Sequence, residues 1–304
     1  MMSRRTVKAM LEEFIAYLED EMAPGSIYVL GAQGQRAPFS EAWLKEREHG
    51  DETNISRDKA LLEKRVKEGY KLTDIGAFDC SGLGMYWLQN VKKLYPGDLN
   101  ANGMKGKCAK IARDKVRRGD WVFVVNGGGR ATHIGFALDS DTAIECRGRD
   151  YGVVKTSVSL RPWNWFGRPE LFRYEIEGYT VTRELKKGDN GEDVKALQHQ
   201  LILHGFAMPK YGADGSFGSE THKSVCALQK SLKRPETGIA GKAEIEALHL
   251  VWKQEEQPGT DYEALYTQTK RKLERTEADL VTLQAAYDEL MDAARRAKKL
   301  LSEL

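Results

Sequence analysis

The chain has 304 residues, 41% hydrophobic and 30% charged, with 47 lysines and arginines against 45 aspartates and glutamates, for a net charge of +2. That length suits two compact domains plus an extended element. So even a balance makes no electrostatic case for a nucleic-acid partner, and short basic clusters such as Lys115-Val116-Arg117-Arg118 read as solvated faces.

The first predicted element is an amphipathic helix carrying Glu12, Glu13, Glu19 and Asp20. It has no uninterrupted apolar run and no small-residue cleavage site, and no stretch of the chain is long enough to span a bilayer. The expectation is synthesis in the cytoplasm without a signal peptide and without membrane insertion. A charged segment then runs from Glu41 through Lys67, with a helical pattern over Asp58 to Glu68. His49 lies in this charge run, where it ends a surface helix rather than entering a site.

Cys80 sits in Phe78-Asp79-Cys80-Ser81-Gly82-Leu83, just behind a plausible N-cap, Asp79. Leu83, Trp87, Leu88, Val91, Leu94 and Tyr95 recur at helical spacing until Pro96-Gly97 stops the run. A thiol in the first turn of that helix is expected to ionise more easily, because unpaired amides and the helix dipole favour the anion. The plainer alternative is a small buried hydrophobe. A thiolate nucleophile needs an oriented base, and His133 fits best. It opens the alternating strand His133-Ile134-Gly135-Phe136-Ala137-Leu138, projecting with Gly135 and Ala137 on the face opposite the apolar residues, so that small neighbours leave it room. Before it, Gly127-Gly128-Gly129 joins two strands and reads as a hairpin loop rather than a phosphate cradle.

After the turn Asp139-Ser140-Asp141 a second strand, Ala143-Ile144-Glu145-Cys146-Arg147, brings Glu145 opposite or nearly opposite His133 on one face if the two strands pair as a hairpin. A carboxylate there would fix the imidazole tautomer. The alternative is a surface glutamate paired with Arg147 or Arg149. No metal or other cofactor is expected, since Cys80, Cys108, Cys146 and Cys226 include no C-x-x-C pair and the histidines are scattered.

These residues resemble the NlpC-type cell-wall cysteine peptidases, papain-like enzymes that cut peptidoglycan stem peptides. The likeness covers most of residues 1–178. It rests on Tyr28-Val29-Leu30-Gly31-Ala32, on Asp79-Cys80-Ser81-Gly82-Leu83, on Arg118-Gly119-Asp120-Trp121-Val122-Phe123 and on Thr132-His133-Ile134-Gly135, in the family's order. The resemblance implies an α+β papain-like fold, with Cys80 as nucleophile, His133 as base and Glu145 as orienter. It also implies Tyr28, Asp79 and Ser81 as substrate contacts, and the D-γ-glutamyl to diamino acid bond as the target. Leu30-Gly31-Ala32 departs from the family's Trp-Gly-Gly, and the fifty residues between the Tyr block and Cys80 exceed its usual spacing, which predicts an extra helical flap. Alternatives are a CHAP-type N-acetylmuramoyl-L-alanine amidase, a catalytically inactive wall-binding or structural protein, and an acyltransferase on the same fold.

Residues 184–250 resemble a three-helix peptidoglycan-binding domain, through Leu185-Lys186-Lys187-Gly188-Asp189 and Asp214-Gly215-Ser216-Phe217-Gly218 among other stretches. Val194, Leu197 and Leu201 form one apolar stripe and Val225, Leu228 and Leu232 another. Gln198 and Gln229 read equally as caps or as ligand contacts. Lys253 to Gly259 is a polar linker. In residues 260–304, Tyr262, Tyr266, Thr269, Leu273, Thr276, Leu280, Leu283, Tyr287, Leu290, Ala294, Ala297, Leu301 and Leu304 alternate by four and three over about six heptads, predicting a coiled coil and a homo-oligomer. The alternative is one amphipathic helix folded back on the catalytic domain. The expected partner is bacterial peptidoglycan, and the missing export signal suggests a phage or prophage endolysin released through a separate membrane pore.

Overall fold

The computed structural model describes residues 9–253 and 262–302, the first stretch lying within one compact unit and the second within another. The first begins with α1 (Met10–Met22), whose Phe14, Ile15 and Leu18 lie on one stripe and are fully buried. Strands β1 (Ile27–Tyr28) and β2 (Gln33–Arg36) follow, then the predicted flap: α2 (Glu41–Arg47) and α3 (Glu52–Lys67), capped by Ser40 and Asp51. Leu44, Ile55 and Leu61 of the flap pack on Ile27, Val29 and Ala77, giving this insert its own small core. Strand β3 (Gly76–Phe78) runs between β1 and β2 and delivers the chain to Cys80.

The helix after Cys80 is shorter than its apolar spacing suggests. Regular α-helix α4 covers Gly82–Met85 and a π-helical turn takes over for Tyr86–Val91. Lys93, in the left-handed region at φ 56°, ends it before Leu94 and Tyr95.

Next come α5 (Ala101–Lys105) and the strands β4 (Cys108–Ile111), β5 (Trp121–Val125), β6 (Ala131–Ala137), β7 (Thr142–Cys146), β8 (Val153–Ser157) and β9 (Trp165–Pro169). They form one antiparallel sheet of order β4-β9-β5-β6-β7-β8. The glycine segment 127–129 is the β5–β6 hairpin loop, as its flanking strands predict. Helix α1 and α4 cover one face of this sheet: Phe14 meets Phe136 edge-on at 5.3 Å, and Leu83 and Leu88 join the same cluster. Helices on one side of an antiparallel sheet make the α+β layering that the resemblance implies.

A short helix α6 (Arg173–Glu177) and strand β10 (Thr180–Val181) lead into the bundle α7 (Glu192–Leu203), α8 (Ser219–Ser231) and α9 (Lys242–Ala247), closed by β11 (Val251–Trp252) pairing with β10. Val194, Leu197, Leu201, Val225 and Leu228 form its core with Phe217, as the two stripes predict. Gln198 is buried and bonds Asp214, the Ser216 carbonyl, Thr221 and the Gly215 amide; Gln229 does the same for the turn at Thr237, Gly238 and Ile239. Both glutamines brace loops from inside the bundle.

The second unit is a single helix, α10 (Tyr262–Ser302), on which Leu273, Leu280, Leu283 and Leu290 are each at least 60% exposed. The linker from residue 254 to Gly259 lies outside the described residues, as do the side chains of Tyr262, Ala297, Leu301 and Leu304 in the heptad pattern. Among the described residues no helix is long and apolar enough to cross a membrane.

Candidate active site

Close packing sets the turn at Cys80 against the connection between β1 and β2. A Cβ on Gly82 would lie 2.1 Å from the Ala32 carbonyl oxygen, so the turn fits only with glycine there. Asp79 fixes the same turn: its Oδ1 accepts from the Ser81 hydroxyl at 3.0 Å and the Gly82 amide at 2.5 Å, and its Oδ2 from the Gly31 amide at 3.1 Å. Burial raises the Asp79 carboxyl, against the pull of the Gly82 and Ser81 hydrogen bonds. Ser81 is itself buried. On the far side, the buried Cys146 thiol donates to the Phe78 carbonyl at 3.2 Å, tying the strand of Glu145 to the strand that precedes Cys80.

The imidazole and carboxylate meet as the hairpin predicts. Phe136 pairs with Ile144 and Ala137 with Ala143; continuing that register sets Glu145 across from Gly135, diagonal to His133. Because Gly135 has no side chain, the carboxylate reaches past it, and His133 Nε2 lies 2.6 Å from Glu145 Oε2. Glu145 is fully buried, and it also accepts from Thr156 Oγ1 at 2.6 Å and from Arg161 Nε and Nη2 at 2.9 and 3.0 Å. Burial pushes the carboxyl up, but the hydrogen bonds of His133, Arg161 and Thr156 outweigh it and hold the group below the usual glutamate range. An ionised carboxylate can only accept, so Nε2 carries the imidazole proton and Nδ1 keeps its lone pair.

One alternative and one expectation change. The partner of Glu145 is Arg161, from the β8–β9 connection, rather than Arg147 or Arg149. Arg147 lies over the Tyr151 ring, and Arg149 pairs with Glu48 and Asp58. The space beside His133 is also filled: Trp163 stacks on the imidazole at 5.5 Å and 5° and closes over Gly135.

Helix position does not lower the Cys80 thiol. The helix starts two residues later, at Gly82, and burial and then Asp79 push the thiol up to about 12. The amides of Ile134, Ser81 and Cys80 pull the other way, which sets the sulfur against β6 one residue from His133. Tyr28 shares this corner, its hydroxyl raised by burial and by the nearby Cys80 and Asp79, with the Arg149 guanidinium 5.1 Å over its ring.

Sequence reasoning missed Arg161, Trp163 and the Glu48–Arg149–Asp58 cluster behind Tyr28. Arg161 and Trp163 follow the last predicted strand, where no periodic pattern marks which side chains turn inward. Among the described residues no group of three or more His, Cys, Asp or Glu could hold a metal ion.

A cysteine on a glycine-clasped turn, set against a β-hairpin that carries histidine and glutamate on one face, is the arrangement of a papain-like α+β fold. More narrowly, residues 67–166 match the NlpC/P60 family, and residues 190–248 match a putative peptidoglycan-binding domain. Both matches lie in the first compact unit. It is 47% identical over 77 residues to N-acetylmuramoyl-L-alanine amidase CwlL of Bacillus licheniformis, a quarter of this chain and 21% of that protein. A probable N-acetylmuramoyl-L-alanine amidase of the same organism is 50% identical over 64 residues, 21% of this chain and 18% of that protein. The chain thus spans about a fifth of the length of these curated relatives. Among solved structures, the NlpC/p60 domain of peptidoglycan hydrolase SagA is 18% identical, with 52% of this chain and 97% of that one covered and a TM-score of 0.33. For the peptidoglycan hydrolase RipB of Mycobacterium tuberculosis the figures are 18%, 52%, 66% and 0.32.

Proposed function

We propose that the protein is a peptidoglycan hydrolase that cleaves an amide bond of the stem peptide by thiol catalysis. The observation that carries this reading is the His133–Glu145 hydrogen bond at 2.6 Å, which leaves the Nδ1 lone pair of His133 for a proton from Cys80. In the reaction Cys80 gives its proton to His133, and the sulfur attacks the amide carbon. The developing oxyanion takes the Cys80 backbone amide, His133 returns the proton to the leaving amine, and a thioester forms. Water, deprotonated by His133, then hydrolyses the thioester and restores the thiol. The raised thiol suits this order: the proton moves when substrate excludes water and the ion pair forms in place. Tyr28, Asp79 and Ser81 line the substrate side, Tyr28 as a direct contact and the other two by holding the turn.

The D-γ-glutamyl to diamino acid bond is the preferred target. The names of the two curated relatives make the lactyl to L-alanine bond the second reading. Mass spectrometry of digested sacculi distinguishes them: a new amine on the diamino acid supports the first, a new amine on L-alanine the second. Residues 1–178 act as the catalytic part and 184–250 hold the wall, and Cys80→Ala is expected to bind sacculi without digesting them. The exposed leucine seam of α10 forms a homo-oligomeric coiled coil. Leu280→Glu in the full chain should lower the mass seen in sedimentation, and an unchanged monomeric mass in both proteins would contradict the coiled coil.

A further inference from the structure

Glu145 is held by more than its imidazole needs. Each carboxylate oxygen takes two donors: Oε1 from Thr156 and Arg161 Nε, Oε2 from His133 and Arg161 Nη2. The guanidinium thus spans both oxygens and fixes the rotation of the carboxylate, which a single donor on each oxygen would leave freer. Arg161 also lies 5.4 Å over the Trp163 ring, and Trp163 stacks in parallel on His133 at 5.5 Å. Arginine, glutamate, histidine and tryptophan close a ring of contacts around the base. The connection that supplies two of them is pinned at both ends: the Val158 amide bonds the Asp141 carbonyl at 2.7 Å, and Asn164 exchanges side-chain hydrogen bonds with the backbone of Val125.

We propose that Arg161 is the positioning residue of this site, holding Glu145 in the one orientation that turns the free nitrogen of His133 to Cys80, with Trp163 clamping the ring from the other side. This rests on the thiol–imidazole pairing proposed above. A role confined to neutralising a buried charge needs only a cation. A positioning role needs the planar fork, which lysine lacks. Removing Arg161 also lets burial, the largest influence on Glu145, push that carboxyl upward.

The test is alkylation of Cys80 by iodoacetamide in the full chain, followed by peptide mass across pH, with no substrate present. Arg161→Gln is expected to slow Cys80 alkylation at neutral pH on the order of tenfold, from misplacement of the base. It is also expected to move the acid limb of the profile up by about one pH unit, from loss of an opposite charge. Arg161→Lys should return the limb and recover only part of the rate. A folded Arg161→Gln protein with the wild-type rate and limb overturns the proposal. If that variant does not fold, Arg161→Lys decides, and a full wild-type rate contradicts the need for the fork. Normal alkylation behaviour in a protein that leaves sacculi intact would remove the hydrolase reading and leave the role of Arg161 standing.

Discussion

Gly84, one turn into the helix that follows Cys80, rests directly on the ring of Phe136, three residues beyond His133: a Cβ there would lie 2.4 Å from the ring. The helix of the nucleophile and the strand of the base touch at this point through the Phe136 ring, with no side chain from the helix between them. Gly84→Ala must therefore push the two apart or displace a ring that is itself wedged against Phe14 and Trp121. We expect a loss of roughly 1–3 kcal/mol from overpacking, read as a fall in Tm of several degrees, with a larger proportional fall in sacculus digestion. Gly82→Ala should be worse, since its obstacle is the Ala32 carbonyl, a backbone atom.

Glu145→Gln keeps the shape of the side chain and removes the charge that fixes the tautomer of His133. Turnover should fall about tenfold to a hundredfold with KM little changed, because the carboxylate acts on the imidazole rather than on substrate. Cys80→Ser and His133→Ala should abolish digestion and leave sacculus binding intact in a pull-down.

The flap carries a pH dependence of stability. Asp58 is buried beside Glu48, and Arg149 serves both: it bonds Glu48, but its Nε stands 3.5 Å from Asp58, an ion-pair distance longer than a good hydrogen bond. Burial and then Glu48 push the Asp58 carboxyl up to about 8, well above its unfolded value. The folded state thus binds the extra proton more tightly, and the stability this gives is complete below about pH 4 and lost as pH rises through 8. Asp58→Asn should raise Tm relative to wild type at pH 8 and change it little at pH 4, as thermal melts at the two pH values will read.

At the other end of the range, burial and then His249 lower His204 to about 4. Its ring stands 3.7 Å from Glu175, which accepts the Met10 and Leu11 amides at the start of α1. A histidine depressed in the folded state gives stability that is full above pH 6.5 and lost as pH falls through 4. His204→Gln should flatten the decline of Tm between those limits; an equally steep decline would contradict this role.

Much of the site is legible in the sequence because its cues are local. Asp79-Cys80-Ser81-Gly82 is a turn with its own cap, and the even spacing of His133 and Glu145 about Asp139 keeps both on one face of a hairpin. The apolar stripes of residues 194–201 and 225–232 are likewise local and periodic. What the sequence hides depends on distance in space. The upward push on the Cys80 thiol comes from desolvation and from Asp79 once the chain is folded, against the helix position that the local pattern suggests. Leu94 and Tyr95 keep the helical spacing but lie past the turn at Lys93, which no periodicity marks. Arg161 reaches Glu145 from a connection with no repeating pattern, and Arg149 meets its two carboxylates across about a hundred residues of chain.

The central claim is a proton passed between Cys80 and His133 in service of peptide cleavage, and digestion of purified sacculi with mass analysis of the products tests it most directly. The account predicts a new amine on the diamino acid with the wild type and none with Cys80→Ala or His133→Ala. Equal release by the wild type and either variant would contradict it.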